Sequence, residues 1–262
     1  MTSTVRSPAV AGMFYPSDTH ELRRIVHQFL KTTSALDPVP KAIIVPHAGY
    51  IYSGPIAASA YVRVVPARDI ISKVVLLGPS HRIPLRGIAA TSMHYFATPL
   101  GTVSVDQSAI KAILSLPQVS IMEQAHTYEH SLEVHLPFLQ EILADFSIIP
   151  LVVGEATAKE VGEVLEKLWG GEETLIVISS DLSHYQDYSA AQKMDKLTSQ
   201  AIEDLKPEAI HHEQACGQRP VNGLLYIAKK LGMRAQTIDL RNSGDTAGPK
   251  HQVVGYGAYV FN

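Results

Sequence analysis

Three histidines, His47, His81 and His184, each follow a short apolar run that ends in small residues, in the segments AIIVPHAG, VVLLGPSH and LIVISSDLSH. Such runs are typical of central parallel strands that are covered on both faces. Ligands of open α/β sheets bind outside the carboxyl ends of the strands, and neighbouring strands lie about 4.8 Å apart. We therefore expect the imidazoles to share one site, in which two of them hold a divalent metal. Taken singly, each histidine has the alternative of being an ordinary hydrogen-bonded loop residue.

A metal held by two imidazoles needs a third protein ligand to complete a facial triad. The candidates in the sequence are Asp181, His184, Glu129, Glu133 and Cys216. Cys216 is preferred because Arg219 follows closely and Pro220 marks the start of a helix, and both a cation and a helix N-terminus favour a thiolate. The alternative is that this cysteine is simply buried.

Other groups near the expected site could act on a substrate. Asp181 lies in one loop with His184, where a carboxylate can hold the tautomer of an imidazole and raise its basicity, as a general base requires. Alternatively, Asp181 only caps the turn. Tyr50, Tyr52 and Tyr185 flank the site, where a tyrosine could bind a substrate or merely form the wall, and we assign Tyr50 and Tyr185 to substrate binding.

The segment HTYEHSLEVH, residues 126–135, is the densest cluster of titratable groups. His126, Glu129 and His130 match the HxxEH pattern of inverted zinc proteases, in which two histidines on one helical face hold zinc. We prefer the interpretation that Glu129, His130 and Glu133 line the pocket and orient ligands or substrate.

The composition describes an ordinary globular protein, which we interpret as one domain over residues 1–262. The sequence is 46% hydrophobic, carries a formal charge of −3 and has no basic run, so nucleic acid is not expected as a partner. The single cysteine excludes an intrachain disulfide, and we find no apolar signal region and no membrane-spanning stretch. A cytoplasmic location is therefore expected.

Strand and helix patterns alternate along the chain, which predicts a three-layer α/β/α sandwich with a mostly parallel central sheet. Helices are expected at 18–30, 55–64, 106–114, 129–143, from 157, at 188–205 and at 220–231. Strands are expected at 42–45, 74–77, 146–153, 175–178, 235–240 and 252–261, and segments 87–90 and 102–105 are expected to pair.

Five phrases in this order, PHAGYIYSG, GPSH, EHSLEVHLPF, SSDLSHY and CGQRP, resemble the MEMO1 family, known in microbes as AmmeMemoRadiSam system protein B. That family is similar in fold to class III extradiol dioxygenases, whose Fe(II) is held by two histidines and a glutamate. The resemblance implies that His47 and His81 are ligands and that Cys216 replaces the glutamate. It places His184, with Asp181 beside it, at the position of the base.

The resemblance also bears on cofactors and partners. A thiolate ligand suits copper as well as Fe(II), and zinc is the less favoured metal. Animal relatives are associated with phosphotyrosine-bearing peptides, and microbial ones with a radical-SAM protein. We predict a metal-dependent, oxygen-using redox enzyme acting on a small polar or aromatic substrate. The alternative is a non-catalytic module that binds a peptide or carries metal in the same cleft.

Overall fold

The computed structural model of the protein describes residues 4–31 and 38–262. The strands are β1 (Val5–Arg6), β2 (Ala42–Val45), β3 (Lys73–Pro79), β4 (Ile88–Ala90), β5 (Tyr95–Thr98), β6 (Gly101–Val105), β7 (Val119–Ile121), β8 (Ser147–Val153), β9 (Thr174–Ser179), β10 (His184–Gln186), β11 (Ala235–Asn242) and β12 (Val253–Phe261). The α-helices are α1 (Thr19–Lys31), α2 (Tyr50–Tyr61), α3 (Gln107–Ile113), α4 (Glu123–Thr127), α5 (Leu136–Ile142), α6 (Ala158–Leu168), α7 (Tyr188–Glu203) and α8 (Gln218–Leu231).

The strands form one sheet in the order β1-β5-β6-β8-β3-β9-β2-β12-β10, with β11 beside β12 and β7 beside β4. The central strands β6, β8, β3, β9 and β2 are parallel, as the alternation of strands and helices predicts. The prediction of parallel pairing is wrong for β11 and β12, which run antiparallel to each other. A 3-10 turn rather than a crossover helix connects these two strands, and a parallel connection needs the crossover.

The predicted pairing of segment 87–90 with segment 102–105 is wrong. β4 pairs with β7 and β8, whereas β6 pairs with β8 and with β5, a strand that the sequence patterns did not indicate. Both short strands are apolar enough to join a sheet. β3 pairs along the whole of one edge of β8, so β6 and β4 share its other edge, β6 at the start of β8 and β4 at its end. Local patterns carry no information about which end each strand reaches.

Helices cover both faces of the sheet, which confirms the predicted sandwich. α8 packs on β3 and β9 and against α6, whereas α2 packs on β2 and β12 and against α1. Close approach of α2 is allowed by its buried small residues Ala57, Ala58, Ser59 and Ala60. Within the described residues, no helix combines the length and apolarity that crossing a bilayer requires.

Several helix ends follow their sequence signals. The Asp18 carboxylate accepts a hydrogen bond from the N–H of Glu21 at 2.8 Å at the start of α1. Thr157 and Glu160 form a reciprocal capping box before α6. Gly232 ends α8 with a φ of 68°, in the left-handed region that favours glycine.

Two helix starts differ from the predictions. α2 begins at Tyr50 and contains Pro55, because the Phe14 carbonyl accepts the N–H of Tyr50 at 2.7 Å and so fixes the first turn. The expected helix over 129–143 begins only with a 3-10 turn at Glu133–His135, followed by α5. Contacts with the N-terminal segment hold the chain around Glu129 in a loop instead.

Candidate metal centre

Three loops meet at one edge of the sheet. β2, β9 and β3 are adjacent and parallel, so their carboxyl ends lie together. His47 follows β2, His81 follows β3, and Cys216 lies just before α8. Each of these three side chains offers one ligand atom, and the three atoms lie within 4.8 Å of one another. The structure therefore brings together the residues that the sequence analysis assigned to a metal.

His47 is the buried member of this group, with 2% of its surface exposed. Its Nε2 lies 3.4 Å from Cys216 Sγ, and its ring centroid is 5.1 Å from that of His81. On the other side of the ring, Nδ1 lies 2.6 Å from Ser179 Oγ. Burial lowers the pKa of His47, and so do the neighbouring imidazoles of His81, His130, His135 and His184. The ring is therefore neutral, as a metal ligand must be.

Glu129 holds His81 in place. Its carboxylate lies 2.8 Å from Nδ1 of His81 and accepts the backbone N–H of the same residue at 2.6 Å. Burial opposes ionisation of Glu129, but the hydrogen bonds and charge of His81 outweigh it and lower the pKa of Glu129 to about 2. An ionised carboxylate only accepts hydrogen bonds, so His81 donates from Nδ1, and Nε2 is the nitrogen that a neutral ring would offer to a metal.

This geometry fits the prediction that Glu129 orients a ligand. Direct contact with a substrate does not fit, because only 1% of the Glu129 surface is exposed. Glu129 also forms a second group of donor atoms, with His81 and His130, that lie within 4.8 Å of one another.

His130 forms a wall of the site. Its ring stacks on that of His81 at a centroid distance of 4.6 Å and lies 5.4 Å from that of His47. Burial lowers the pKa of His130 to about 4, although the Glu129 carboxylate opposes this shift. The site therefore contains a second neutral imidazole beside that of His47, and the assignment of His130 to substrate binding stays a prediction.

Cys216 differs from the prediction in its protonation. Burial and the neighbouring Asp181 carboxylate raise the pKa of its thiol well above the ordinary value. Arg219 instead places Nη1 3.5 Å from the Ala156 carbonyl oxygen. The expectation that Arg219 and the helix N-terminus produce a thiolate is wrong, because burial dominates. A metal ion deprotonates a thiol that coordinates it, so the thiol remains a suitable ligand.

Gly217 allows the cysteine loop to lie against the end of β9. A Cβ atom at this position would lie 2.5 Å from the Ser179 carbonyl oxygen, a backbone atom that cannot easily move. The glycine beside Cys216 is thus required by close packing.

Asp181 and His184 do not form the expected carboxylate–imidazole pair. Asp181 accepts the backbone N–H of His47 at 2.7 Å, and burial raises its pKa although His184 and this hydrogen bond oppose the shift. His184 donates from Nδ1 to the Leu182 carbonyl oxygen at 2.8 Å. The hypothesis that Asp181 sets the tautomer of His184 is therefore wrong. Because Nδ1 donates, Nε2 is the nitrogen through which His184 would accept a proton, and its role as a base stays a prediction.

The two tyrosines assigned to substrate binding differ in their surroundings. Tyr50 is 3% exposed, packs against Phe138 and donates its hydroxyl to the Val134 carbonyl oxygen at 2.7 Å. Its assignment to the substrate is wrong, because the side chain belongs to the core. Tyr185 is 70% exposed, has a φ of 60°, and its ring lies 5.8 Å from that of His184.

The HxxEH pattern does not form a zinc-protease site. His126 belongs to α4, whereas Glu129 and His130 lie in the loop beyond that helix. The His126 Nε2 donates to the Ala89 carbonyl oxygen at 3.0 Å, and the ring is 2% exposed. The two histidines do not share a helical face, so the motif lacks the geometry on which its chemistry depends.

Burial of His126 makes stability depend on pH. Burial lowers its pKa from 6.5 to about 4, although the Ala89 carbonyl opposes this, so the unfolded chain binds a proton that the folded chain rejects. The free energy of unfolding should therefore fall by about 3 kcal/mol on this account as pH falls through that interval, at roughly 1.4 kcal/mol per pKa unit. Urea unfolding at a series of pH values should show that the free energy of unfolding of His126→Gln falls less steeply with decreasing pH in this interval. The control His20→Gln, which changes an exposed histidine, should keep the wild-type dependence on pH. An unchanged slope in His126→Gln would contradict this.

Glu133 is tied to the N-terminal segment and is not a metal ligand. Its carboxylate lies 2.7 Å from Arg6 Nη1, and both side chains are buried. It also accepts the Tyr15 hydroxyl at 2.6 Å and the backbone N–H groups of Ala9 and Val10. Local sequence patterns did not indicate this network, because its partners are more than a hundred positions apart.

A cleft of about 310 Å³ opens beside Cys216. Its walls include Pro79, Ile83 and Leu85, and His212 and Arg219 add polar groups. Pockets that bind small molecules begin at about this volume and are mostly apolar with a few polar groups.

Comparisons with known proteins give one consistent family. The model of the family described as "Memo-like protein" matches residues 6–260. A "MEMO1 family protein" of Aquifex aeolicus is 41% identical over 98% of this chain and 99% of its own length. Another, of Ignicoccus hospitalis, is 36% identical over 98% of each chain. The crystal structure of an uncharacterized Escherichia coli K12 protein shares the fold, with a TM-score of 0.51 and 14% identity over 85% of this chain and 100% of that one.

Proposed function

Because the chain belongs to the Memo-like protein family, as its motifs indicated, we propose that it is a metal-dependent redox protein of the dioxygenase-like kind. Its ion would be held by His47, His81 and Cys216, and its substrate would be a small polar or aromatic molecule in the cleft. The proposal depends most on one observation, the convergence of these three ligand atoms within 4.8 Å.

The donor set fits such an ion. Both histidines use Nδ1 in hydrogen bonds, to Ser179 and to Glu129, so both have Nε2 available. Two imidazoles and a thiolate suit iron and copper, with zinc less favoured for a redox role because it has no redox chemistry. When bound, the ion would supply one-electron chemistry beside the cleft.

The chain's own residues would perform the remaining tasks. His184 uses Nδ1 in a hydrogen bond to Leu182, so its Nε2 would accept a proton from a bound substrate. Glu129 keeps His81 oriented, and the apolar side chains of the cleft exclude water from a small ligand. A functional link to a radical-SAM protein is part of the same proposal and comes from the family resemblance.

The test begins with anaerobic titration of the purified chain with Fe(II) and with Cu(I), followed by oxygen-uptake assays with small catechols and other polar aromatics. Metal binding with substrate-dependent oxygen uptake would support the proposal. Metal binding without any oxygen chemistry would favour the alternative of a metal carrier. Failure to bind either metal would overturn the proposal.

Changing His184 to glutamine should separate metal binding from turnover. The side chain is not among the three clustered ligands, so affinity for the metal should persist. Turnover should fall roughly 10²–10⁴-fold, the usual contribution of a general acid–base group. Oxygen uptake under saturating metal is the measurement, and His251→Gln, which changes an exposed histidine, is the control. Retention of full turnover would show that another group accepts the proton.

A further inference from the structure

Ser179 has a hydroxyl with three polar neighbours in the interior of the protein. It is the last residue of β9 and has no exposed surface. Its Oγ lies 2.6 Å from the Ser131 carbonyl oxygen, 2.6 Å from His47 Nδ1 and 2.8 Å from His135 Nε2. The hydroxyl therefore connects a proposed metal ligand to a second, fully buried imidazole.

The protons in this cluster follow from counting donors. A serine hydroxyl has one hydrogen to donate and two lone pairs to accept with. A carbonyl oxygen can only accept, so the hydrogen of Ser179 goes to Ser131. Both imidazole nitrogens must then donate to Oγ. His47 consequently carries its proton on Nδ1, and His135 carries its proton on Nε2.

We propose that Ser179 is a positioning residue that fixes His47 and His135 in opposite tautomers and thereby leaves Nε2 of His47 free to bind a metal. This Nε2 lies 3.4 Å from Cys216 Sγ. In the other tautomer, Nε2 would carry the hydrogen and have no free lone pair on the side of the sulfur, so the ring could not bind a metal there. The consequence for metal binding rests on the proposed function, whereas the tautomers themselves do not.

The fold holds the hydroxyl firmly in this position. Ser179 pairs with Val45 at the ends of β9 and β2, only two residues before His47. The Ser131 hydroxyl donates to the Pro79 carbonyl oxygen at 2.9 Å, which attaches the accepting carbonyl to the end of β3. Because the donor and its acceptor are fixed by different strands, the direction of the Ser179 hydrogen is set by the sheet. We therefore expect the Ser179 hydroxyl to keep one orientation.

Long-range ¹H–¹⁵N correlation spectra of the metal-free chain, labelled with ¹⁵N-histidine, test the tautomers directly. We expect a protonated Nδ1 for His47 and a protonated Nε2 for His135, with the signals assigned from His47→Gln and His135→Gln. A protonated Nε2 on His47, or the same tautomer on both rings, would overturn the proposal. This result does not depend on any metal or substrate.

The variant Ser179→Ala tests the consequence. It should give His47 a mixture of tautomers and weaken Fe(II) or Cu(I) binding by about 10–100-fold, as loss of a group that orients a ligand commonly does. Ser179→Thr keeps the hydroxyl and should restore both properties. The control Ser199→Ala removes a buried hydroxyl that bonds Tyr259 instead, and should change neither.

The outcomes separate the two proposals. Unchanged tautomers and affinity in a folded Ser179→Ala would overturn the role of Ser179. If Ser179→Ala does not fold, the wild-type spectrum still tests the tautomers, and Ser179→Thr tests the affinity. Weakened metal binding or a changed tautomer in folded Ser179→Thr would then count against the role of Ser179. If the wild type binds neither metal, the proposed function fails while the tautomer prediction keeps its own test.

Discussion

Replacing Cys216 with alanine is expected to lower the affinity for Fe(II) and copper by more than the roughly 10–100-fold that loss of a supporting group costs. The thiol is one of three ligand atoms within 4.8 Å, and its sulfur lies 3.4 Å from Nε2 of His47. Removing it leaves only two imidazoles for the ion. His47→Ala should have a comparable effect for the same reason. Anaerobic competition titrations against a chelator of known affinity measure both losses.

The matched control is His212→Ala, because His212 lines the same cleft but lies outside the cluster of ligand atoms. Its affinity should equal that of the wild type. Wild-type affinity in Cys216→Ala would contradict the proposed triad. It would direct attention to the second group, formed by His81, Glu129 and His130, which His130→Ala would then test.

Replacing Glu133 with alanine is expected to destabilise the protein by about 3–5 kcal/mol, the usual cost of removing one partner of a buried ion pair. The Arg6 side chain is only 5% exposed, so its charge would remain buried without its partner. The Tyr15 hydroxyl and two backbone N–H groups would lose their acceptor as well. Urea unfolding at neutral pH measures the loss.

The matched control is Glu166→Ala, which removes an ion pair with Lys230 whose side chains are about half exposed. Exposed pairs contribute only about 0–1 kcal/mol, so this change should be small. If Glu133→Ala does not fold, Glu133→Gln keeps an acceptor for Tyr15 and should show an intermediate loss. A loss in Glu133→Ala no larger than that of the control would show that the ion pair does not stabilise the fold.

The Glu133 network also reaches the candidate metal centre. Arg6 donates from Nη2 to the Glu129 carbonyl oxygen at 2.6 Å and from Nε to the His126 carbonyl oxygen at 2.7 Å. These bonds hold the loop whose Glu129 carboxylate orients His81. We therefore expect Glu133→Ala to weaken metal binding in addition to lowering stability.

Local patterns predicted the parts of the site that lie at strand ends. His47 and His81 each follow an apolar run, and such runs end at the carboxyl edge of a parallel sheet whatever the rest of the chain does. The capping box at Thr157 and the left-handed Gly232 were predictable for the same reason, since a few neighbouring residues determine them.

The same local logic failed where a distant group competes for a side chain. Asp181 was expected beside His184, yet the N–H of His47, far away in sequence, takes its carboxylate. Tyr50 was expected at the substrate, yet α2 begins early and turns the ring into the core. The protonation of Cys216 was misjudged because burial, which depends on the whole fold, outweighs the charges nearby in sequence.

The sequence by itself determined the alternation of strands and helices, the three-layer class and the identity of the residues that meet at the sheet edge. Strand and helix periods are local properties of the chain, and they act within a few residues. Only the tertiary structure decided which strands are neighbours, which acceptor each imidazole faces and which acid balances Arg6. Those choices depend on contacts between segments separated by tens to more than a hundred residues, where burial and hydrogen-bond geometry select among partners of the same chemical type.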